Sequence, residues 1–437
     1  MFLCNLNSYP GQILLILIDY FGLPCIIKPL FMRRSLFYLL LCFVLPATAQ
    51  FKNDNVKYTT VYPEELCKTL LSHPGYVLLD VRSQGEFDDT LSSSPGLNIG
   101  HIKDALHISI QQLPERWKEL LPYKDKPLFI YCSHSQRSRR ASRMLADSGF
   151  TKLFNIDGGL TSFYLQGIAQ KPCATFAIST NVHYKLVAPE QLVQHTKAGI
   201  SYFIIDLRSD SAFNSTTVAE KTRSEGRFSR SVNIPFAKLD ESISVIPRNK
   251  AILLVDEYGN ESPDAAKRLL DKGFKDVSIL FNGIDEWVDY SINTDSRIPI
   301  EYLVSRSYRL LSADDFDKSL KNKNPAVLVD VRSREEYNNQ SKNYWENIGQ
   351  IKNAISIPAN ELDSSTLLPA SKDALVIVYG FGDPEYVYSA AVALKKQGYR
   401  NVAILRGGIW YLRWASHNLK GKEHLNDWVV NVPEQNQ

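Results

Sequence analysis

An ordered set of short motifs occurs three times along the 437 residues of the chain. Each copy begins with an apolar strand that ends in Asp, an aliphatic residue and Arg, and the three acids are Asp80, Asp206 and Asp330. They lie 126 and 124 residues apart, a spacing close to the length of one compact domain. Repetition at a fixed period predicts a series of equivalent structural units rather than one large core.

Five more landmarks follow each Asp, always in the same order. They are a glycine turn (Gly100, Gly226, Gly349), a second apolar strand (128–131, 252–255, 376–379), a helical pattern, a glycine before an aromatic residue (Gly149, Gly273, Gly398) and a short strand with a closing turn (157–159, 282–283, 406–408). Short β-branched strands that alternate with helical patterns are typical of a parallel sheet with helices on both faces. The sequence therefore predicts an α/β fold. Linkers near 172–184 and 294–308 are rich in Tyr, Ile and Pro, which indicates that the units pack together.

A cysteine follows the second apolar strand of the first unit. The segment reads Tyr131-Cys132-Ser133-His134-Ser135-Gln136-Arg137-Ser138. In an open parallel sheet, ligands bind beyond the carboxyl ends of the strands, where this loop leads into a helix. The backbone N–H groups of such a loop can form an anion nest, the helix N-terminus adds partial positive charge, and Arg137 adds a full charge. These features favour the nucleophilic thiolate of Cys132 and would equally stabilise a persulfide.

Four of these motifs together resemble the rhodanese family of sulfurtransferases. They are the Asp-Val-Arg strand end, the Gly-His-Ile-x-x-Ala turn at 100–105, the Cys-x-x-x-x-Arg-Ser loop at 132–138 and the Asp-Gly-Gly turn at 157–159. The resemblance covers roughly residues 60 to 420 as consecutive copies. It implies three tandem rhodanese-like domains, each a parallel five-stranded sheet flanked by helices, at 60–171, 184–293 and 307–420.

The same resemblance implies an activity. Cys132 would take a sulfane sulfur from thiosulfate or a similar small anionic donor and pass it to cyanide or a thiol. The sulfur would travel as a covalent cysteine persulfide, so no cofactor is implied. The cradle around it would be Ser133, His134, Ser135, Gln136, Arg137 and Ser138. Family relatives that act as phosphatases have one more residue between Cys and Arg, so the four residues here favour sulfur over phosphate.

The second and third units depart from this pattern. Alignment of Gly273 with Gly149 places Asp256 opposite Cys132 and Glu261 opposite Arg137, whereas the third loop begins at Gly380. Neither loop has a thiol, so we predict that only domain 1 is catalytic. The alternative is that the whole chain is a non-enzymatic binding or scaffold protein of the cell envelope, with domains 2 and 3 available to a protein partner.

The repeated acids are expected to be structural, because Asp80, Asp206 and Asp330 occur in units with and without cysteine. We expect them to accept hydrogen bonds from loop amides. The arginine that follows each acid is expected to pair with another carboxylate, such as Glu86 or Glu336.

A run of arginines follows the cysteine loop. Arg139, Arg140 and Arg143 are expected to make the entrance of the site positive, which would attract thiosulfate. Arg143 is also placed to pair with Asp147 one helical turn away.

Residues 32–49 are predicted to be a signal peptide. Met32-Arg33-Arg34 is a short basic region, residues 35–45 are nearly all apolar, and Ala47-Thr48-Ala49 forms a cleavage pattern. This predicts translation from Met32 and export to the periplasm or the extracellular space. The apolar run is shorter than the roughly 20 residues of a membrane span, which favours cleavage. The alternative is a product in which residues 1–31 are also translated and the N-terminal segment stays in the membrane.

Composition argues against several other functions. The formal net charge is +3, so no global positive field attracts nucleic acid. Dinucleotide and P-loop motifs, CxxC pairs and clustered histidines are absent from the sequence, so we expect no nucleotide, flavin or metal.

Beyond the N-terminal region the cysteines are Cys67, Cys132 and Cys173, an odd and widely spaced set that does not predict a disulfide framework. We expect Cys67 to pack in a core and Cys173 to be exposed in the first linker.

Overall fold

The structure is a computed structural model that describes residues 57–167, 177–294, 298–322 and 326–433. The signal peptide expected at 32–49, the expected start at Met32 and the linker residue Cys173 lie outside the described residues. Within the described part of the chain, every helix is too short or too polar to cross a bilayer.

Domain 1 is one parallel sheet covered by helices. Its strands are β1 (Thr59–Val61), β2 (Val77–Asp80), β3 (His101–Ile102), β4 (Leu106–His107), β5 (Leu128–Tyr131) and β6 (Leu153–Ile156). Its helices are α1 (Leu66–Ser72), α2 (Gln84–Phe87), α3 (Leu113–Arg116), α4 (Gln136–Asp147) and α5 (Gly159–Leu165). The sheet has the order β1, β6, β5, β2, β4, with every neighbouring pair parallel. Strand β5 is buried along its whole length because both faces of the sheet are covered, as its continuous apolar sequence predicts.

Domain 2 repeats this sheet after a short linker strand, β7 (Ile178–Ser179). Its strands are β8 (Lys185–Val187), β9 (Tyr202–Asp206), β10 (Arg227–Phe228), β11 (Val232–Asn233), β12 (Ala251–Val255) and β13 (Val277–Leu280). Its helices are α6 (Pro189–Lys197), α7 (Asp210–Asn214), α8 (Val218–Arg223), α9 (Ser262–Asp271) and α10 (Gly283–Asn293). The order β8, β13, β12, β9, β11 is that of domain 1, again with all neighbours parallel.

Domain 3 repeats the sheet once more, after β14 (Tyr302–Leu303). Its strands are β15 (Arg309–Leu311), β16 (Val327–Asp330), β17 (Gln350–Ile351), β18 (Ile355–Ser356), β19 (Leu375–Tyr379) and β20 (Asn401–Leu405), followed by β21 (Val429–Val430). Its helices are α11 (Ala313–Lys321), α12 (Arg334–Tyr337), α13 (Glu385–Lys396) and α14 (Gly408–Asn418). The order β15, β20, β19, β16, β18 is parallel throughout, so the predicted α/β fold of three five-stranded sheets is confirmed.

The repeated Asp-x-Arg motif is a buried ion pair. Arg82 forms two parallel hydrogen bonds to the Asp80 carboxylate, with Nη2 2.7 Å from Oδ2, and also donates to the carbonyl of Gly100 at 2.6 Å. Asp80 accepts the Arg82 backbone amide as well, so the expected bond to a loop amide is present. The expected partner of the arginine was wrong, because it pairs with the acid of its own motif rather than with Glu86. The equivalent pairs are Arg208 with Asp206 and Arg332 with Asp330.

The three domains lie within one compact unit. The segment after each domain returns to it as an antiparallel strand: β7 pairs with β3, β14 with β10, and β21 with β17. Tyr164 of domain 1 packs against Phe281 of domain 2 with ring centroids 5.3 Å apart. Arg406 of domain 3 pairs with Asp289 of domain 2 at 2.7 Å. These contacts hold the carboxyl ends of the three sheets close to one another.

Candidate functional site

Cys132 lies directly after β5, at the carboxyl end of the central strand of domain 1. It is a free cysteine with only 1% of its surface exposed. The backbone amide of Ser135 donates to its Sγ atom at 3.1 Å. Ser135 has a φ of +84°, which turns the chain back over the sulfur before α4 begins. The loop therefore encloses the thiol, with one amide already directed at it.

Helix α4 begins at Gln136, three residues after Ser133. The first amides of a helix have no partner within the helix and carry its partial positive charge, so they favour an anion in front of them. The Ser138 hydroxyl donates to the carbonyl of Ser135 at 3.0 Å, and the Ser135 hydroxyl accepts from the amide of Gly158. These bonds fasten the loop to the helix and to the closing glycine turn.

The closing turn must carry glycine at its second position. Gly159 has a φ of +58°, and a Cβ atom there would lie 2.5 Å from the backbone of Ser133. This close approach allows the amide of Leu160 to donate to the carbonyl of Cys132 at 2.8 Å. Gly283 and Gly408 occupy the same position in domains 2 and 3.

Arg137 forms a partly buried ion pair with Glu86. Its Nη1 and Nη2 atoms donate to the two oxygens of Glu86 at 2.5 and 2.7 Å, and Nη2 also donates to the Ser133 hydroxyl at 2.7 Å. Burial opposes the charge of Arg137, but its hydrogen bonds to Glu86, together with the nearby Cys132, raise its pKa, so the guanidinium keeps its charge beside the cysteine. Arg137 holds Ser133 and the loop in place, while Glu86 balances its charge.

Glu86 was not among the residues expected in the site. Burial opposes its ionisation, but the hydrogen bonds and charge of Arg137, together with the hydrogen bonds from Ser83, hold its pKa at about 2. The sequence contains one signal for it, because Ser83 and Glu86 form a capping box at the start of α2. That pattern does not reveal Arg137, which lies 51 residues further along the chain.

The Glu86→Gln variant is expected to lose stability at pH 7 and less than half as much at pH 3. The pKa of Glu86 is lower in the folded protein than its ordinary value of 4.5, so its carboxylate stabilises the fold above about pH 4.5. That contribution falls as the pH drops towards 2. The difference of about 2.5 pKa units corresponds to at most about 3 kcal/mol. Denaturant unfolding of both proteins at the two pH values measures it.

Glu336→Gln is the control for this prediction. Ser333 and Glu336 form the same capping box in domain 3, but the loop of that domain has no arginine to pair with Glu336. Its loss should cost about 1 kcal/mol or less. Equal losses in the two variants, or a loss in Glu86→Gln that does not change with pH, would contradict the ion-pair explanation.

His134 and Gln136 are the exposed members of the loop, whereas Ser133, Ser135 and Ser138 are buried. The His134 ring lies between two hydroxyls, with Nδ1 3.0 Å from Ser133 Oγ and Nε2 3.3 Å from Thr161 Oγ1. Although part of the ring is open to a cavity, protein surrounds it on most sides. This burial, followed by the charge of Arg137, lowers the pKa of His134 and favours the neutral ring at pH 7.

Of the arginines after the loop, Arg140 is exposed, whereas Arg139 does not contribute to the expected positive entrance. Arg139 is buried and donates to Asp157 at 2.6 Å and to Asn418 of domain 3. It is therefore an interdomain contact that no anionic donor can reach. The expected pair of Arg143 with Asp147 is also absent from the described residues, since Asp147 pairs with Lys57 at 3.0 Å.

Domain 2 keeps the cradle but fills it with its own anion. Asp256 follows β12 as Cys132 follows β5, and the amides of Gly259 and Ser262 donate to its carboxylate at 2.5 and 2.9 Å. The amide of Glu261 donates to the same carboxylate. The acid does not abolish the cradle, because the backbone amides still converge on a negative group. A carboxylate in this place supplies charge but no nucleophilic sulfur.

Domain 3 closes the equivalent space with side chains. A Cβ atom at Gly380 would lie 2.6 Å from Val387 and 3.1 Å from the Tyr386 hydroxyl. The turn is held in the usual way, because the amide of Ile409 donates to the Gly380 carbonyl at 3.1 Å. The loop of domain 3 keeps its backbone fold, but Val387 and Tyr386 occupy the space that the Cys132 side chain has in domain 1.

The remaining cysteine of the described chain corrects another expectation. Cys67 forms a disulfide, although the sequence predicted a free thiol in a core. Cys132 is free, so it is not the partner. No cluster of His, Cys, Asp and Glu that could bind a metal is present among the described residues.

Comparisons with known proteins agree with the repeated fold. The model of the Rhodanese-like domain matches residues 63–166, 188–290 and 312–412. The chain is 36% identical over 105 residues to YqhL, an uncharacterized protein of Bacillus subtilis (strain 168), covering 23% of this chain and 74% of that protein. It is 30% identical over 98 residues to the tRNA uridine(34) hydroxylase of Enterobacter sp. (strain 638), covering 22% of this chain and 25% of the hydroxylase. The structure of a thiosulfate sulfurtransferase from Pseudomonas aeruginosa aligns with 80% of this chain and 66% of its own, at 17% identity and a TM-score of 0.21.

The three matched segments correspond to the three sheets. Each match begins just after the first strand of a domain, namely β1, β8 or β15. It ends within the helix that follows the closing glycine turn, or one residue after that helix. The matches together cover more than half of the chain. The chain therefore belongs to the rhodanese-like family, as three such domains in tandem.

Proposed function

We propose that this protein transfers sulfane sulfur through a persulfide on Cys132 of domain 1. The observation that carries the proposal is a free, enclosed thiol at the end of the central strand, with the Ser135 amide directed at its sulfur. Helix α4 begins immediately behind it and favours negative charge at the same point. Both features suit a thiolate and a terminal persulfide.

The reaction divides into two nucleophilic displacements. The Cys132 thiolate attacks the outer sulfur of thiosulfate, a new S–S bond forms, the original S–S bond breaks, and sulfite leaves with the bonding electron pair. Cyanide or a thiolate then attacks the outer sulfur of the persulfide. The S–S bond to Cys132 breaks, its thiolate is regenerated, and thiocyanate or a new persulfide leaves.

The loop residues divide the supporting tasks. The amides at the start of α4, together with that of Ser135, would hold the persulfide charge. Ser133 and Ser138 would fix the loop shape, with Arg137 anchored by Glu86. His134 and Gln136 are the exposed members and would meet the incoming substrate. No step in this scheme needs a cofactor.

A non-enzymatic binding role is the alternative, because the loops of domains 2 and 3 have no thiol. Under that hypothesis the chain would carry no sulfur on Cys132 with any donor. Domains 2 and 3 would then capture a protein partner without help from domain 1.

We also propose that the protein is exported to an oxidising compartment. The disulfide at Cys67 supports this, since disulfides persist in such compartments and are rare in the cytosol. The basic and apolar pattern of residues 32–49 is the second support.

The testing experiment is intact-mass measurement of the purified native protein after incubation with thiosulfate. We expect a gain of one sulfur atom, its assignment by peptide mapping to the segment that contains Cys132, and its removal by cyanide. No gain with thiosulfate or with glutathione persulfide would contradict the proposal and favour the binding role. A sulfur mapped to another cysteine would contradict it as well.

A further inference from the structure

A cavity of about 720 Å³ lies where the three domains meet. The helix after the closing glycine turn lines it in every domain, namely α5, α10 and α14. Domain 1 also contributes His134 and Gln136 of the cysteine loop. Since all three domains are needed to build this space, we call it the junction cavity.

The wall from domain 2 is acidic. Glu286 and Asp289 of α10 line the junction cavity with two further acids, and the described lining residues include neither lysine nor arginine. Arg406 pairs with both Asp289 and Asp285, but no described lysine or arginine forms an ion pair with Glu286. Burial, and then the neighbouring carboxylates, raise the pKa of Glu286 to about 7 and that of Asp289 to about 6. A bound cation would favour the ionised forms of these buried carboxylates.

The wall from domain 3 is aromatic. Trp410, Tyr411 and Trp414 of α14 all line the junction cavity. The Trp410 and Trp414 rings lie with centroids 6.4 Å apart and an angle of 16° between their planes. Tyr411 stacks on Trp414 at 5.6 Å. The faces of such rings attract cations, and quaternary ammonium groups in particular bind between aromatic rings.

The wall from domain 1 includes residues of the cysteine loop. His134 lines the cavity, and its Nδ1 atom is 3.0 Å from the hydroxyl of Ser133, the residue next to Cys132. A ligand in the junction cavity would therefore touch the cysteine loop through His134 and Gln136, and His134 in turn contacts the residue next to Cys132.

We propose that the junction cavity binds an organic ammonium compound that also carries a thiol, and that this thiol accepts sulfur from Cys132. Its ammonium group lies between the carboxylates of α10 and the rings of α14. Its thiolate attacks the outer sulfur of the Cys132 persulfide, a new S–S bond forms, and the bond to Cys132 breaks. The acceptor departs as a persulfide, and Cys132 is regenerated as its thiolate. The acceptor half of this inference rests on the proposed function, whereas the cation-binding half stands on the cavity alone.

Domains 2 and 3 would thereby have a role in a reaction whose nucleophile they lack. Domain 2 provides charge and domain 3 provides aromatic surface, while domain 1 provides sulfur.

The binding half is tested by calorimetry on the full chain with choline and with 3,3-dimethyl-1-butanol, its uncharged analogue of the same shape. Choline should bind and the alcohol should bind at least about tenfold more weakly, a difference of about 1.4 kcal/mol. Binding should persist in the Cys132→Ala protein, because the sulfur takes no part in it. Equal affinity for the two compounds, or no binding of choline, would overturn the proposal.

Two variants and two controls locate the binding. Glu286→Gln and Trp414→Leu should each weaken choline binding at least about tenfold. Asp271→Asn removes an exposed acid at the end of α9, and Trp345→Leu removes an exposed tryptophan of domain 3, so both should bind choline as the native chain does. Glu286→Gln keeps the size of the side chain and so tests the charge even if Trp414→Leu fails to fold. Similar losses in the controls would overturn the location.

The acceptor half is tested with a persulfide-loaded protein and two small thiols, cysteamine and 2-mercaptoethanol. The ratio of the transfer rate to cysteamine over that to 2-mercaptoethanol should be at least about tenfold lower in Glu286→Gln than in the native protein. Comparing this ratio between the two proteins cancels the intrinsic reactivity of each thiol. An unchanged ratio would overturn the acceptor role. If Cys132 never accepts sulfur but choline still binds with the expected pattern, the proposed function fails and the cation site stands.

Discussion

Replacement of Cys132 by alanine is expected to abolish sulfur transfer while the fold is retained. The variant removes the described chain's free thiol and with it the atom that forms the persulfide. Loss of a covalent nucleophile should lower turnover at least about 10³-fold, since the amides of the loop have no sulfur to act on. The substitution removes one small atom from a buried position, so circular dichroism and the thermal transition should change little.

The rate of thiocyanate formation from thiosulfate and cyanide measures this effect. Asp256→Asn is the matched control, because it alters the equivalent position of domain 2 and should leave the turnover unchanged. Turnover above the uncatalysed rate in Cys132→Ala would mean that another group carries the sulfur. Turnover lost in both variants would mean that domain 1 does not act alone, contrary to the prediction from sequence.

The second large effect is expected on stability, from Arg82→Met. Arg82 and Asp80 have no exposed side-chain surface, and the arginine is the bidentate partner of the acid. Removal of one member of a buried pair leaves an unpaired charge, which costs about 3 to 5 kcal/mol. Arg82 also anchors the carbonyl of Gly100, so the turn between β2 and β4 should loosen with it. Hydrogen exchange of the β5 amides reports the stability of domain 1 separately from the other domains.

A double-mutant cycle makes this prediction specific. Asp80→Asn combined with Arg82→Met should cost clearly less than the two single variants added together, because neither charge is then left unpaired. Arg400→Met is the control, since its pair with Asp373 is exposed and such pairs contribute about 1 kcal/mol or less. Additive losses, or a loss in Arg82→Met no larger than that in Arg400→Met, would show that the pair does not stabilise the domain.

Much of the site follows from local sequence. Cys132 after an apolar strand, the loop to Ser138 and the glycines of the closing turn all lie within short segments whose spacing predicts their geometry. The alignment of Asp256 and Gly380 with Cys132 is consistent with the structure, since all three carbonyls accept the same turn amide. The local pattern succeeds here because each feature depends on neighbouring residues in one strand, loop or helix.

The partners of the charged side chains were the least predictable part. Arg137 pairs with Glu86, Arg139 with Asp157 and Asn418, and neither pairing leaves a trace in the spacing of the chain. Arginine side chains are long and can reach several acids, so burial and the position of the backbone select among them. The sequence also did not reveal that the loop amides of domain 2 donate to the Asp256 carboxylate. Backbone amides converge on a carboxylate as readily as on a sulfur, and the sequence does not show the loop conformation.

The sequence by itself determined the three α/β units, the order of their motifs and the single cysteine loop. Periodicity and strand-end chemistry are local properties, and each unit folds its sheet from its own residues. Only the tertiary structure decided that α5, α10 and α14 meet around one cavity, because packing between domains depends on surfaces far apart in the chain. An acidic wall from domain 2, an aromatic wall from domain 3 and the cysteine loop of domain 1 become neighbours there.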